Sequence, residues 1–190
     1  MKKILLLLAA VIYAGFAYSQ GEHLPFKGIP ITGAASDFAD ELVRQGYDIQ
    51  TSDDGSIVLK GKFTDKDCLI VLTVTPQSKI VSGVGVLFDE KYNTWSSIKS
   101  EYNRYKKLYE KKYGIPQIDN HRFERPYYEG DGYEMTALRV DKCNYLTAWQ
   151  LKNGTIALKM AENQIMLLYS DKVNNALDDM ESEQASLDDI

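Results

Sequence analysis

Three carboxylates lie close together in one loop-forming stretch of the chain, RPYYEGDGYE from Arg125 to Glu134. Glu129, Asp131 and Glu134 fall within six residues, and two glycines allow the backbone to turn sharply there. Carboxylate oxygens at this density could bind Ca²⁺, but the Asp-x-Asp-x-Asp-Gly order of an EF-hand loop is absent. The pattern therefore favours a polar turn, and we expect neither a metal site nor a cofactor site.

The residues needed for other common hydrolytic chemistry are scarce. The two histidines, His23 and His121, belong to no cluster with zinc-ligand spacing, and the sequence contains no Gly-x-Ser-x-Gly elbow. Glycoside hydrolysis needs two carboxyl groups across a cleft, which an acidic chain could supply. We therefore expect no catalytic residues, and a carboxylate-based hydrolase acting on envelope or dietary polymers is the alternative.

Residues 1–19 have the composition of a signal peptide. Lys2 and Lys3 precede an apolar run from Ile4 to Phe16, and small residues follow at the positions that a signal peptidase reads. We expect an exported protein, periplasmic or secreted, with no membrane association after cleavage. The formal net charge of −5 argues against a nucleic-acid partner, which requires a concentrated basic surface.

Cys68 and Cys143 are the two cysteines of the chain. Export permits a disulfide between them. Both lie in similar tetrapeptides, Lys-Asp-Cys-Leu and Asp-Lys-Cys-Asn, at the start of predicted strands. If these positions are equivalent in two related halves, they could meet near an axis. We expect the disulfide, with two buried free thiols as the alternative.

One long helix is predicted from Asn93 to Gly114. Its apolar residues recur at steps of three and four, which places them on one helix face: Trp95, Ile98, Tyr102, Tyr105 and Tyr109. Asn93 or Thr94 can cap its start, and Gly114 can occupy the left-handed position at its end. The aromatic stripe is expected to pack on a sheet, and a tyrosine-lined ligand groove is the alternative.

The remaining patterns predict an α+β fold. A short helix over residues 35–45 precedes three predicted strands, and the long helix precedes four. This order predicts two tandem helix-plus-antiparallel-strand units in one domain, with the helices on one sheet face. The units are residues 20–92 and 93–172, followed by an acidic tail, residues 173–190, as a frayed helix or disordered segment.

The predicted strands cover residues 57–63, 69–75, 80–88, 133–140, 144–151, 155–161 and 165–170. In the third of these, Gly83 and Gly85 fall on the face opposite Val84 and Val86. Glycine at such positions often indicates that another element approaches closely. Residues 115–125 are predicted to be an irregular loop, and Asp53-Asp54-Gly55 a turn.

Several stretches resemble a recurrent family of small exported proteins from gut Bacteroidales: NTWSSIKSEYNRYKKLYEKKYGIP, RPYYEGDGYEMTALRVDKCNYLTAW, KNGTIALKM and IMLLYSDKVN. The resemblance covers most of the mature chain and implies export. It carries no assigned activity, so it transfers no functional residue. The order of elements also resembles β-lactamase-inhibitor-like and PepSY-type exported modules, a likeness of architecture alone.

The sequence therefore favours a non-enzymatic exported binding or interaction module. Its partner is expected to be an unidentified protein or glycan in the cell envelope. The expected interaction surface combines the sheet face left open by the helices with the loop that carries Tyr127, Tyr128, Glu129 and Asp131. Tyrosine is favoured at such surfaces because it is amphipathic and loses little entropy on binding.

Overall fold

The structure is a computed structural model that describes residues 23–51 and 57–188. The expected signal peptide and the Asp53-Asp54-Gly55 turn lie outside these described residues. In chain order, the elements are β1 (Pro25–Phe26), β2 (Ile29–Pro30), α1 (Ala35–Arg44), β3 (Asp48–Thr51), β4 (Ile57–Phe63), β5 (Lys66–Val74), β6 (Val81–Phe88), α2 (Trp95–Tyr113), β7 (Ile118–Phe123), α3 (Glu134–Arg139), β8 (Cys143–Leu151), β9 (Gly154–Ala161), β10 (Gln164–Asp171) and α4 (Lys172–Asp188).

Eight of these strands form one antiparallel sheet in the order β3-β4-β5-β6-β10-β9-β8-β7. Strands β6 and β10 pair at its centre, where Val86 is the partner of Leu167. Strands β3 and β7 are its two edges, and β1 and β2 form a separate two-stranded sheet. The predicted mixed fold with an antiparallel sheet is confirmed, and the sheet dominates it.

Side chains alternate between two faces of the sheet, as the strand period requires. One face, which we call the covered face, is buried against α2. Tyr105 of α2 stacks on Phe88 with ring centroids 4.7 Å apart, and Tyr109 packs on Trp149 at 5.4 Å. The tyrosine stripe therefore packs on the sheet, as the helical spacing predicts.

The ends of α2 follow from its sequence. The Thr94 hydroxyl accepts a hydrogen bond from the Ser97 backbone N–H at 3.3 Å, which satisfies one of the unpaired donors at the helix start. Gly114 has φ 85° at the end, a conformation that costs glycine little. The predicted bounds are thus confirmed to within two residues.

Two segments of the second predicted unit, residues 93–172, differ from the prediction. The predicted strand over residues 133–140 is helix α3, which buries Ala137 and Leu138. The predicted loop over residues 115–125 contains strand β7, the polar sequence IDNHRF. Strand β7 is an edge strand with mostly exposed residues, so it shows little of the apolar content by which sequence patterns identify strands.

The acidic tail is helical from Lys172 to Asp188. Asp171 caps this helix, α4, because its Oδ1 accepts hydrogen bonds from the N–H groups of Val173 at 3.1 Å and Asn174 at 2.9 Å. Glu181 fixes the helix further along by bonding the turn between β5 and β6. Within the described part of the chain, no helix combines the length and apolar composition needed to cross a bilayer.

Candidate functional site

The second face of the sheet, which we call the open face, is apolar at its centre. Cross-strand pairing arranges its side chains in rows that run across the strands. One row is Lys60, Leu69, Leu87, Met166, Lys159, Leu146 and Asn120, and the next is Val58, Val71, Gly85, Leu168, Ala157, Ala148 and Ile118. Most of these side chains are partly exposed, and Leu168 is 38% exposed. A contiguous apolar surface of this kind is typical of an interaction site.

A groove follows this face beside α4. Its first part, of about 420 Å³, has a floor of open-face residues from β5, β6 and β10 and is bordered by Asn175 of α4. An adjoining part, also of about 420 Å³, continues over β9 to Gln150 of β8. The two parts share Ser170 and Asn175. The groove therefore crosses five neighbouring strands, a span of about 19 Å at the usual strand spacing.

Gly83 and Gly85 form part of the groove floor, although neither has the positive φ angle that favours glycine. A Cβ added to Gly85 would lie 3.6 Å from Leu87 Cδ1 and 3.7 Å from Leu168 Cδ2, which are ordinary contacts. The atoms nearest Gly83 also belong to the sheet, namely the Tyr169 carbonyl oxygen and Thr73. A Cβ on Gly83 would lie 3.0 Å from that carbonyl oxygen, so another element does approach closely there, namely strand β10. At Gly85 no neighbour is that close, and a Cβ would make only ordinary van der Waals contacts.

The loop with Tyr127 and Tyr128 lies on the side of α2 rather than beside the groove. Lys99 of α2 forms an ion pair with Glu129, and the indole of Trp95 donates to the same carboxylate at 3.4 Å. Because α2 covers the opposite face, the structure does not bring this loop and the open face into one surface. The open face and the tyrosine loop, which were expected to form one surface, are therefore two separate surfaces.

Within this loop, Asp131 fixes the backbone. Its two carboxylate oxygens accept hydrogen bonds from the N–H groups of Tyr128 at 3.0 Å and Tyr133 at 2.7 Å. Tyr128 is 64% exposed and Tyr133 63% exposed, whereas Tyr127 is partly buried against the core. The loop thus holds two tyrosines in solvent, and the sequence reasoning missed the second of them.

The three carboxylates of the loop have separate partners. Glu129 accepts from Lys99, whose hydrogen bond is the main reason that the pKa of Glu129 lies below its ordinary value. Glu134 accepts from the Gly130 N–H at 2.8 Å, and Asp131 accepts from the backbone as described. Across residues 23–51 and 57–188, no group of three or more potential ligands is arranged to hold a metal ion.

A polar network that the sequence did not reveal connects β7, β8 and α2. His121 Nε2 lies 3.1 Å from Asp119 Oδ1, and the same oxygen accepts from the Thr147 hydroxyl at 2.8 Å. Thr147 is in turn 2.6 Å from the Tyr102 hydroxyl. The His121 ring stacks on Tyr145 with centroids 4.3 Å apart. Asp119 and His121 are two residues apart, so in a strand their side chains lie on the same face. This spacing could have predicted the pair if the segment had been recognised as a strand.

Burial lowers the pKa of His121, and Lys106 and Lys99 lower it further against the opposing effect of Asp119. A neutral imidazole oriented by a carboxylate can act as a base. The hydroxyl nearest to this pair is that of Thr147, which is buried and already donates to Asp119. The network therefore links α2 to the sheet edge rather than forming a nucleophile–base pair.

The expected disulfide is not formed. Cys68 and Cys143 are both free and buried, and their strands β5 and β8 are four positions apart in the sheet, about 19 Å. A disulfide requires Cα atoms within about 7 Å. The two cysteines were expected to meet near an axis between the two halves of the chain. The strands that meet at the centre of the sheet are instead β6 and β10, and neither carries a cysteine. Burial raises the pKa of the Cys68 thiol to about 11 and that of Cys143 to about 12.

A smaller cavity of about 210 Å³ lies beside the end of α2, lined by Phe63, Thr64, Leu108, Tyr109, Lys112, Tyr113 and Tyr169. The hydroxyl groups of Tyr109 and Tyr169 bond each other, so their polar atoms are satisfied within the protein. This arrangement favours a packing role for these tyrosines over a tyrosine-lined ligand groove.

A groove of about 450 Å³ at the β4–β5 turn contains four carboxylates with Lys66: Asp65, Asp67, Asp89 and Glu90. The hydrogen bond from Lys66 is the largest cause of the lowered pKa of Glu90. Every described carboxyl group whose pKa departs from its ordinary value is shifted downward: Glu90, Glu101, Asp119, Glu124, Glu129 and Glu181. A glycosidase general acid needs the opposite shift.

Comparison with known proteins identifies no relative of this chain. No protein-family model, no curated protein and no solved structure matches it. The geometry of the open face is therefore the basis for a functional proposal.

Proposed function

We propose that this chain is an exported, non-enzymatic interaction module that binds an extended segment of a protein partner on its open sheet face. The observation that carries the proposal is the apolar groove across β5, β6, β10, β9 and β8. The structure leaves this groove uncovered among the described residues, and Gly85 contributes no side chain to its floor.

The composition of the open face favours a protein partner over a glycan. Among the described strand residues, the open-face positions contain leucine, valine, methionine, alanine and glycine but no aromatic ring. Sugars are usually held by stacking on aromatic rings together with dense hydrogen bonding. Aliphatic side chains instead favour burial against the apolar side chains of another polypeptide.

The shape of the groove favours an extended segment. A span of about 19 Å accommodates about six residues of extended chain at 3.3 Å per residue. The floor is apolar over β6 and β10 and becomes polar toward Gln150, Thr155 and Lys172. A segment that lay in it would therefore bury its apolar side chains at one end and remain hydrated at the other.

We also propose that the chain consists of two related units with their helices on one sheet face. Helix α1 precedes four strands, β3 to β6, and helix α2 precedes four strands, β7 to β10. The two sets meet through their last strands, so the strand order is symmetrical about the centre of the sheet. The groove would then cross the junction of the two units, at Gly85 and Leu168.

The test compares two leucine variants of similar exposure. Leu168 lies on the open face and is 38% exposed, and Leu108 lies on α2 and is 44% exposed. Wild type, Leu168→Asp and Leu108→Asp are used to capture partners from envelope extracts, after circular dichroism confirms that all three fold. The proposal predicts one protein retained by wild type and Leu108→Asp and lost with Leu168→Asp.

The alternative is a carboxylate-based hydrolase. The observation in its favour is that several carboxylates lie together in the groove at the β4–β5 turn. Turnover of a glycan or peptide panel that is abolished by Asp67→Asn or Asp89→Asn, with no open-face partner captured, would support the hydrolase and overturn the interaction module. Retention of the same partner by all three leucine proteins would also contradict binding at the open face.

A further inference from the structure

We propose that the partner presents an acidic side chain between apolar ones, and that this acid pairs with Lys159. The inference rests on the proposed function and names the chemistry of its ligand. It begins from Lys159, a charged residue that lies between apolar neighbours in a row of the open face whose two ends are Lys60 and Asn120.

Lys159 lies on β9 between two apolar neighbours. Its cross-strand partners are Met166 on β10 and Leu146 on β8. The residue is only partly exposed, and among the described residues it forms no ion pair and no side-chain hydrogen bond. In the free protein, water solvates the ammonium group.

A partner that covers this row removes that water. A charge that is buried without an opposite charge is strongly unfavourable, so the covering surface must supply an acceptor for Lys159. A carboxylate is the acceptor that compensates the charge as well as the hydrogen bonds. Because Met166 is only two residues from Leu168, the acid must lie close to the apolar side chains that occupy the groove.

The charges at the strand positions of the open face agree with an acidic partner, and where α4 borders the groove Lys172 and Asp179 balance each other. The strand positions carry four basic and two acidic side chains, a balance of 4 − 2 = +2: Lys60, Lys62, Arg122 and Lys159 against Asp48 and Asp67. The complete chain has a formal net charge of −5, so these strand positions differ in sign from the protein as a whole. Complementary potentials of this kind direct partner choice and association.

The same charges disfavour a second copy docked face to face. Two open faces in contact would bring Lys159 toward the basic side chains of an identical surface, and like charges across an interface oppose binding. A protein segment with apolar and acidic residues meets both requirements of the face at once.

The experiment selects ligands from a displayed library of random twelve-residue peptides on the mature chain, residues 20–190. Binding is then measured for wild type, Lys159→Glu, Lys159→Gln and Gly85→Val, with Lys107→Glu as the matched control. Lys107 is exposed on α2, so its reversal changes the net charge equally without touching the open face. Thermal unfolding verifies that each variant folds.

We expect the selected peptides to contain Asp or Glu flanked by apolar residues. Their binding should weaken about tenfold or more in Lys159→Glu, less in Lys159→Gln, and remain unchanged in Lys107→Glu, since close charge pairs at interfaces are worth at least a tenfold change. Raising the salt concentration should weaken binding to wild type more than to Lys159→Gln.

The other outcomes overturn the inference in distinguishable ways. Peptides that require the open face, shown by their loss in Gly85→Val, but that lack acidic residues would contradict the role of Lys159 and leave the proposed function intact. If no selected peptide depends on Gly85, both the inference and the proposed function are wrong. A dimer in sedimentation analysis that Lys159→Glu strengthens would assign the face to a second copy instead.

Discussion

Gly85 and Leu168 are cross-strand partners at the junction of β6 and β10, and a Cβ on the glycine would make only ordinary van der Waals contacts. The nearest atom of Leu168 to a Cβ placed on Gly85 is Cδ2, at 3.7 Å. The pair therefore forms a shallow depression at the centre of an apolar sheet face. Strand interiors usually avoid glycine, because it loses entropy on folding and contributes no packing. The proposed binding of a ligand in this depression would give the residue a function.

Substitution of two glycines by alanine should distinguish a position with room for a Cβ, Gly85, from a tightly packed position, Gly61. Gly85→Ala should leave the free energy of unfolding unchanged or raise it by up to about 1 kcal/mol, because alanine restricts the unfolded chain. Gly61→Ala should lower it by about 1–3 kcal/mol, because its Cβ would lie 2.4 Å from the buried Tyr47 ring. Chemical denaturation measures both. A Gly85→Ala variant that is less stable than Gly61→Ala would show that a Cβ does not fit at Gly85.

The contact between α4 and the β5–β6 turn should depend on pH through Glu181. Its carboxylate accepts from the N–H groups of Gln77 at 2.7 Å and Ser78 at 3.0 Å, and from the Ser78 hydroxyl. The Ser78 hydroxyl is the largest cause of the lowered pKa of Glu181. Because the folded pKa is below the unfolded value, the stabilisation is present above about pH 4.5 and is lost as the pH falls through the folded pKa.

Amide hydrogen exchange along α4 measures this contact. Protection of residues 174–181 should fall below pH 4.5, and Glu181→Gln should reduce it already at pH 7. Glu183→Gln is the matched control, since Glu183 is exposed on the same helix. Equal protection in the Glu181 and Glu183 variants at pH 7 would show that the carboxylate does not anchor α4.

The protein should become less stable as the pH falls toward the range in which a free histidine is protonated, because the folded state disfavours protonation of His121. Burial lowers its folded pKa below the ordinary value of 6.5, so the unfolded chain binds more protons in the window just below pH 6.5. Thermal unfolding between pH 7.5 and 5.5 should therefore show a decrease that His121→Phe reduces. Phenylalanine preserves a ring that can stack on Tyr145. A ring titration with a midpoint above 6.5 would contradict this prediction.

The two cysteines should behave as protected thiols. With pKa values of about 11 for Cys68 and about 12 for Cys143, the thiolate fraction of the folded protein at pH 8 is roughly a hundredfold or more below that of an ordinary cysteine. Maleimide should label neither rapidly in the native protein and both after denaturation without reductant. A denatured, unreduced protein that takes up no maleimide would indicate an oxidised pair.

The sequence predicts the elements with a buried face far better than those without one. The tyrosines of α2 recur at helical spacing because that face packs on the sheet, and both helix and packing are confirmed. Strand β7 was missed because it is an edge strand with exposed, polar residues. Helix α3 was taken for a strand because six residues are too few for a helical period to be distinguished.

The candidate site was predictable only in part. The alternation of β6 placed Gly83 and Gly85 opposite the buried valines, which is confirmed, but no local pattern shows that β10 approaches closely at Gly83 and not at Gly85. The location of the tyrosine loop beside α2 depends on the pairing of Glu129 with Lys99, thirty residues away, which no local pattern reveals. Strand order likewise decided that Cys68 and Cys143 lie far apart.

Site-specific photo-crosslinking in the cells that produce the protein can show whether the open face is the binding surface. A photoreactive phenylalanine analogue replaces Leu168 on the open face, Leu108 on α2 or Tyr128 in the loop, all of which are exposed enough to accept it. If the partner binds the open face, we expect one discrete adduct from position 168, none from position 108, and none or a weaker one from position 128. A discrete adduct from position 128 or 108, with none from position 168, would contradict binding at the open face.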